Sequence, residues 1–257
     1  MTVRPSGSVD MFGNGASTVD FMHRPQDGGA GSLTETVVRT VLQFIFDNRM
    51  SPGSALPSEI EVAKKLGISR GVVREAFRGL TSLGIVETGN GRSPRVRKAD
   101  GDVLALLTEY AVQTEQVTIQ QIMDVRQVIE ARIAQLAAMH RSEREADAIL
   151  ASADALAAAQ GDVFEMTRRD IDFHLLLAKA ARNPFMRLQV ESFKFVIERT
   201  GPLGWQCRTT DAEVTSQIRV HREIAECVKA QDTEGAVAAM SRHFTDTLRV
   251  LAQAGIN

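Results

Sequence analysis

Two short helical patterns joined by a tight turn and followed by a basic hairpin, then a long run of strand-free helical patterns, predict a mainly α chain. The expected architecture is an N-terminal winged helix-turn-helix and a C-terminal all-α helical bundle. Charge divides the same way. Residues 33–98 hold eleven Lys/Arg against six Asp/Glu, residues 99–257 seventeen against twenty-three, and the whole chain carries −2. A basic module on an acidic body is the footprint of a small DNA-reading domain attached to a larger non-DNA domain.

Residues 1–32 contain six glycines and little periodicity, and read as a disordered tail. Leu33, Val37, Val41, Phe44 and Ile45 follow at helical spacing, so a first helix spans Leu33 to Asn48. Met50-Ser51-Pro52-Gly53 is a turn. Ser58 with Glu61 three residues on has capping-box spacing and starts a second helix through Leu66, which Gly67 ends. Ser69 caps a third, Arg70 to about Leu83, with Val73, Ala76, Phe77 and Leu80 at core spacing. Ile85–Thr88 and Pro94–Arg97 read as two strands around Gly89-Asn90-Gly91.

Arg70 and Arg74 lie one turn apart at the start of the third helix, on the face opposite Val73 and Phe77, and Arg78 continues the stripe. Guanidinium forks suit guanine edges and phosphates, and the start of a recognition helix is the part that enters a major groove. Arg92, Arg95, Arg97 and Lys98 give the hairpin a backbone-seeking charge. The bland alternative is a solvated basic helix beside an unrelated hairpin.

A short linker, 99–101, leads into residues 102–257. Helical patterns recur there at Val103–Thr114, Thr118–His140, Ser142–Ala159, Asp162–Ala181, Pro184–Arg199, Asp211–Ala230 and Thr233–Ala254, separated by Gly, Asn-Pro or Gly-Pro signals. Abundant alanine favours helix. Asn183 before Pro184 reads as an N-cap followed by a first-turn proline, and Trp205 falls in a GPLGWQ loop, as packing.

Asp170 and His174, four apart, leave one helical face; His221 lies on the apolar face set by Ile218, Ile224, Ala225 and Val228; His243 follows Met240 by three. Three histidines and a carboxylate from three helices can hold a metal. Their chemistry suits Zn²⁺ foremost, with Ni²⁺, Mn²⁺ or Fe²⁺ as alternatives to it, rather than Ca²⁺ or Mg²⁺. The competing reading is hydrogen-bonded core histidines. Cys207 and Cys227 show neither CxxC spacing nor a disulfide framework, which fits thiols in a reducing cytoplasm. No run approaches the ~18–20 apolar residues of a membrane helix, and no export signal is visible. Few aromatics disfavour single-strand binding by base stacking.

PSE, LGISR, VREAFRGL and GIVE with a glycine-containing wing resemble the GntR family of bacterial transcription regulators over residues 33–98. The resemblance implies DNA contacts at Arg70, Arg74 and the wing-tip Gly91. One departure is Ile60, where many relatives place an arginine after PSE. Residues 102–257 resemble the all-helical effector domain called FCD. Arg126 and Glu130 match its early helix, Asp170 and His174 its DxxxH, and His221 and His243 its later histidines. That resemblance implies a divalent metal held by the aspartate and three histidines, with positions open for an organic acid. Arg126 would clamp the acid's carboxylate; its alternative is a surface ion pair with Glu130. The metal-ligand set implies a short sugar acid, hydroxy acid or dicarboxylate rather than an acyl-CoA. The expected protein is a regulator, as a repressor, binding a palindromic double-stranded DNA operator as a homodimer. Two rival readings are a bundle in which the metal itself is the signal, and a metal-dependent hydrolase fused to a DNA-binding module. The hydrolase lacks a general base, since Asp172 points about 160° from the Asp170–His174 face.

Overall fold

The structure is a computed structural model and describes residues 32–89 and 92–256, with Arg92 by its backbone alone. The expected tail, apart from Ser32, and the wing-tip Gly91 lie outside the described residues. Two compact units divide between Lys98 and Ala99. Among the described residues, no helix is long and apolar enough to cross a membrane.

The first unit comprises α1 (Leu33–Asp47), α2 (Glu59–Leu66), α3 (Arg70–Ser82) and the antiparallel pair β1 (Val86–Gly89) and β2 (Arg92–Val96). Ser32 opens α1 by accepting from the Glu35 amide at 3.2 Å, so the helix signal begins one residue inside the expected tail. Ser58 and Glu61 form the reciprocal capping box, and Gly67 closes α2 at φ 64°, a left-handed conformation in which a Cβ is strained. Val37, Val41, Val73, Phe77 and Leu80 are fully buried between α1 and α3. The hairpin register pairs Val86 with Val96, and both side chains enter this core. The stretch before α2 adds a feature the sequence reading treats as turn. Gly53, Ser54 and Leu56 hydrogen-bond β2 through Val96 and Pro94, giving the hairpin a third, short edge.

The second unit comprises α4 (Asp102–Gln113), α5 (Ile119–His140), α6 (Glu143–Ala158), α7 (Val163–Ala180), α8 (Pro184–Ser192), α9 (Lys194–Gln206), α10 (Asp211–Ala230) and α11 (Thr233–Gln253). Side-chain caps at Thr118, Ser142, Asp162, Asn183, Thr210 and Asp232 explain why six of these helices start where they do. Helices α5, α7, α10 and α11 enclose a core of Phe173, Leu177, Ile224, Met240 and Phe244.

The expected single helix Pro184–Arg199 is two helices, and the expected GPLGWQ loop is helical. The chain breaks at Phe193, whose buried ring packs with Ile122, Ile171, Val196 and Ile197. It then runs through Pro202 to Gln206. Gly201 makes this passage feasible: a Cβ there would sit 2.6 Å from Thr167 Cγ2, so glycine permits close approach of α9 to α7. Trp205 packs from a helix rather than a loop, 6% exposed beside Met166 and Ile218, and it also lines a cavity shared with Asp170 and His243. Burial of one face of α9 overrides the local cost of an interior proline.

Candidate functional site

In the first unit, Arg70, Arg74 and Arg78 are all exposed on α3, opposite the buried Val73, Ala76, Phe77 and Leu80. Among the described residues Arg74 makes a loose ion pair, Nε to Glu59 Oε2 at 3.9 Å, and its side chain stays 58% exposed. Arg95 is exposed, but its Nη1 donates to the Gly53 carbonyl at 2.6 Å, so part of its fork holds the third edge to the wing. The side chain of Arg92 and all of Gly91 lie outside the described residues. Ile60 stands 54% exposed on α2, an apolar side chain on the surface where the resemblance leads one to expect a cation.

In the second unit, Asp170 and His174 on α7, His221 on α10 and His243 on α11 converge. One ligand atom from each lies within 4.8 Å of all the others. The three imidazoles are fully or nearly fully buried. Their orientations follow from what holds each Nδ1. His174 Nδ1 pairs with Glu130 Oε2 from α5. His221 Nδ1 lies 2.9 Å from the Gln217 carbonyl, and His243 Nδ1 lies 2.8 Å from Gln217 Nε2. Each Nε2 is therefore left for the cluster, where His221 Nε2 is 2.8 Å and His174 Nε2 is 3.8 Å from Asp170 Oδ1. An acceptor on the outer nitrogen fixes ring orientation and tautomer for His174 and His221, the usual support of metal-bound histidines, whereas His243 Nδ1 faces a donor, the Gln217 amide nitrogen.

The fit to a metal can be tested on distance. Donors about 2.1 Å from a shared ion lie about 3.4 Å apart in a tetrahedron and about 4.2 Å apart across an octahedron. A 4.8 Å spread lies about 0.6 Å beyond the octahedral span and about 1.4 Å beyond the tetrahedral one, so the four groups close in on an ion most readily in the octahedral arrangement, and an N₃O set suits Zn²⁺ or another divalent transition metal. Electrostatics point the same way. Burial pushes Asp170 up, but His174 and the bond from His221 outweigh it and hold the carboxyl far below its usual range. Burial alone would lower His174, yet Glu130 and Asp170 raise it, so a proton there supplies the cation the acids require. Burial and the neighbouring His221 and His174 hold His243 well below its ordinary value, as a neutral imidazole.

Arg126 is buried, not on the surface, and its ion pair with Glu130 is buried with it, the side chains 5% and 1% exposed. Nε donates to Glu130 Oε1 at 2.9 Å and Nη1 faces Met123 Sδ at 3.5 Å, while Nη2 has no hydrogen-bond partner. Burial raises Glu130, but Arg126 and His174 more than offset this and keep it ionised. A cavity of about 40 Å³ joins Arg126 to Asp170, His243, Gln217, Thr200 and Arg208. That is room for a few waters.

Two supporting residues, Gln217 and Arg208, have no role in the sequence analysis, and a third, Glu130, gains a role it does not have there. Gln217 sits four before His221, a spacing that could have revealed it. Glu130, which the sequence offers as a partner of Arg126 and as part of the FCD early-helix match, also holds His174. Arg208 donates to Gly204 O at 2.8 Å and Asp246 Oδ2 at 2.7 Å, with its guanidinium over Trp205. Asn183 is the N-cap of α8, accepting from the amides of Phe185 and Met186.

Comparison with known proteins bears on both units. Residues 33–96 match the family of bacterial regulatory proteins, gntR family, and residues 121–246 match the FCD domain. The chain is 26% identical over 212 residues to the HTH-type transcriptional regulator LutR of Bacillus subtilis, covering 81% of this chain and 96% of that protein. It is 25% identical over 219 residues to a putative L-lactate dehydrogenase operon regulatory protein of Escherichia coli, covering 83% and 84%. A Streptococcus agalactiae GntR structure shares the fold, with a TM-score of 0.66 and 23% identity over 84% of this chain and 99% of that one. With a gntR-type helix-turn-helix on the first unit and an FCD domain on the second, the chain belongs to the GntR family and is a DNA-binding transcription regulator, not an enzyme.

Proposed function

We propose that this regulator binds a palindromic operator as a homodimer and that a small carboxylate, chelated on a divalent ion in the second unit, controls its affinity for DNA. The observation that carries this reading is four convergent ligand atoms, two of them from Asp170 and His243 that line one cavity together with Arg126, whose Nη2 is buried without a partner. An ion held by Asp170, His174, His221 and His243 keeps coordination positions that a carboxylate and a neighbouring hydroxyl can fill, while Arg126 takes a carboxylate oxygen. When bound, the ion supplies a Lewis-acidic anchor. Glu130 orients His174 and holds the Arg126 fork.

The 40 Å³ cavity is smaller than an organic acid, so binding must widen it. Its α9 wall includes Gly201 and Gly204, and Pro202 between them leaves that helix one interior backbone donor short, which makes α9 the side we expect to yield. Displacement of α9 couples acid binding to a second arrangement of the chain, and an acid preferring the non-binding arrangement releases DNA. One relative is named for an L-lactate dehydrogenase operon, which makes 2-hydroxy acids the first effectors to test. On the DNA side, Arg70, Arg74 and Arg78 would read the major groove, with Gly91, Arg92 and Arg95 on the wing. For the dimer, α4 buries none of its residues fully and leaves Leu106, Leu107 and Tyr110 exposed, and Leu107 shares a groove with the exposed Val125 of α5, an apolar face that suits a second copy.

The test is elemental analysis of the purified protein and of His174→Ala, with a thermal-shift screen of short acids on both. About one metal per chain, lost in the variant together with the acid-induced shift, is the expected result. A shift shared by both proteins with no metal in either would overturn the reading.

A further inference from the structure

Gln217 touches two of the three histidines and belongs to neither the ligand set nor the Arg126–Glu130 pair. It is 3% exposed on α10. Its backbone carbonyl accepts from His221 Nδ1. Its amide nitrogen lies 2.8 Å from His243 Nδ1 and 3.2 Å from Thr247 Oγ1, while Oε1 is buried without a partner and the residue lines the cavity.

This arrangement fixes the His243 tautomer. An N–H of Gln217 facing His243 Nδ1 requires that nitrogen to accept, so the imidazole proton sits on Nε2. A metal ion on Nε2 takes the lone pair there and leaves the neutral ring's proton on Nδ1, which must then donate. Two donors cannot face each other. A half-turn of the amide resolves the conflict: Oε1 moves to accept from His243, and the NH₂ group gives up Thr247 Oγ1 for the place where Oε1 now lies buried without a partner, in a residue that lines the cavity. No other side chain contacts His243 Nδ1 among the described hydrogen bonds.

We infer that Gln217 is a positioning residue whose amide turns over when the cluster takes a divalent ion, converting a cavity-facing acceptor into a donor for an anionic ligand. The inference rests on the ion-binding reading above. It supplies a physical reason for an acid to bind only the ion-loaded protein: beyond the chelating ion itself, an acceptor facing the cavity repels a carboxylate and a donor attracts it. It also explains why a glutamine rather than a carboxylate serves here, because Glu or Asp would accept from His243 but offer the ligand only another acceptor.

The experiment uses the full chain, with Zn²⁺ as the ion and glycolate, L-lactate and D-gluconate as probe acids. Zn²⁺ affinity is measured by chelator competition and acid binding by calorimetry on zinc-loaded protein, with operator binding as the check of folding. In Gln217→Met, which offers His243 nothing, Zn²⁺ affinity should fall about 10–100-fold. In Gln217→Glu, Zn²⁺ affinity should stay within a few-fold of the parent or rise, while acid affinity drops at least tenfold. In the ¹⁵N-labelled parent, the Gln217 amide protons should lose their contact with the His243 ring when Zn²⁺ is added. Failure of the parent to bind Zn²⁺ would remove the ion-binding reading itself. Zinc-loaded parent silent to all three acids, or Gln217→Glu binding acid like the parent, would overturn the donor role alone. Undiminished Zn²⁺ affinity in Gln217→Met, or amide contacts indifferent to Zn²⁺, would overturn the turnover.

Discussion

The Arg126–Glu130 pair offers the sharpest energetic test, because both partners are charged and almost wholly removed from water. Replacing Arg126 with methionine preserves most of the side-chain volume against Met123 and Phe244 but leaves Glu130 ionised beside His174 alone. Breaking a buried pair from one side costs about 3–5 kcal/mol, because the remaining charge has lost its compensation. His174 retains a contact with Glu130, so the lower end, about 3 kcal/mol, is the expectation here. Glu130→Met should cost a similar amount by stranding the guanidinium. The double variant should be much less damaged than the two losses added together, since apolar groups of similar volume often replace a buried pair neutrally. A coupling of about 2–3 kcal/mol should emerge from the cycle. The assay is urea unfolding of chelator-stripped protein, with thermal melts as a second measure. In a domain of this size, 3 kcal/mol corresponds to roughly 6–12 °C. Additive single losses, or a loss below about 1 kcal/mol in Arg126→Met, would refute the claim that this is a desolvated, mutually dependent pair.

The remaining predictions concern DNA, acid and assembly. Arg74→Ala should abolish specific operator binding in a mobility-shift assay with little change in thermal stability, since its ion pair among the described residues is a loose 3.9 Å approach to Glu59; undiminished binding would remove α3 from the groove. Glu145 is held down to about 2: burial pushes it up, but the Ser142 amide and the two-pronged Arg182 guanidinium outweigh this. Its folded value is depressed, so its contribution is complete above the ordinary 4.5 and is lost as pH falls towards 2. Arg182→Asn, which tolerates the left-handed φ of 58°, should therefore be less stable than the parent at neutral pH and converge with it in acid unfolding curves. Because Glu130 and Asp170 raise His174, protons compete with metal there, and measured metal affinity should weaken steadily from pH 8 to pH 6. Leu107→Asp, on the exposed face of α4, should yield monomer by light scattering; an unchanged mass would place the interface elsewhere.

Much of this protein is legible in local sequence. Ser58 with Glu61, Ser69 and Gly67 fix the ends of α2 and α3 through hydrogen bonds spanning at most a few residues, so their side chains announce the helices without reference to the rest of the chain. The arginine stripe on α3 follows from helical period alone, as does the shared face of Asp170 and His174. What tertiary structure decided is of a different kind. Whether Arg126 and Glu130 meet in water or in the core depends on α11 bringing Phe244 over the guanidinium, a contact between residues far apart in sequence. Whether Gly201 to Gln206 is loop or helix depended on apolar burial against α7, which outweighed the glycine and proline signals that dominate locally. The convergence of His174, His221 and His243, and the single glutamine that holds two of them, required three helices to be placed side by side. Helical spacing shows which face a side chain leaves; only packing, driven by apolar area summed over the whole bundle, decides which faces meet.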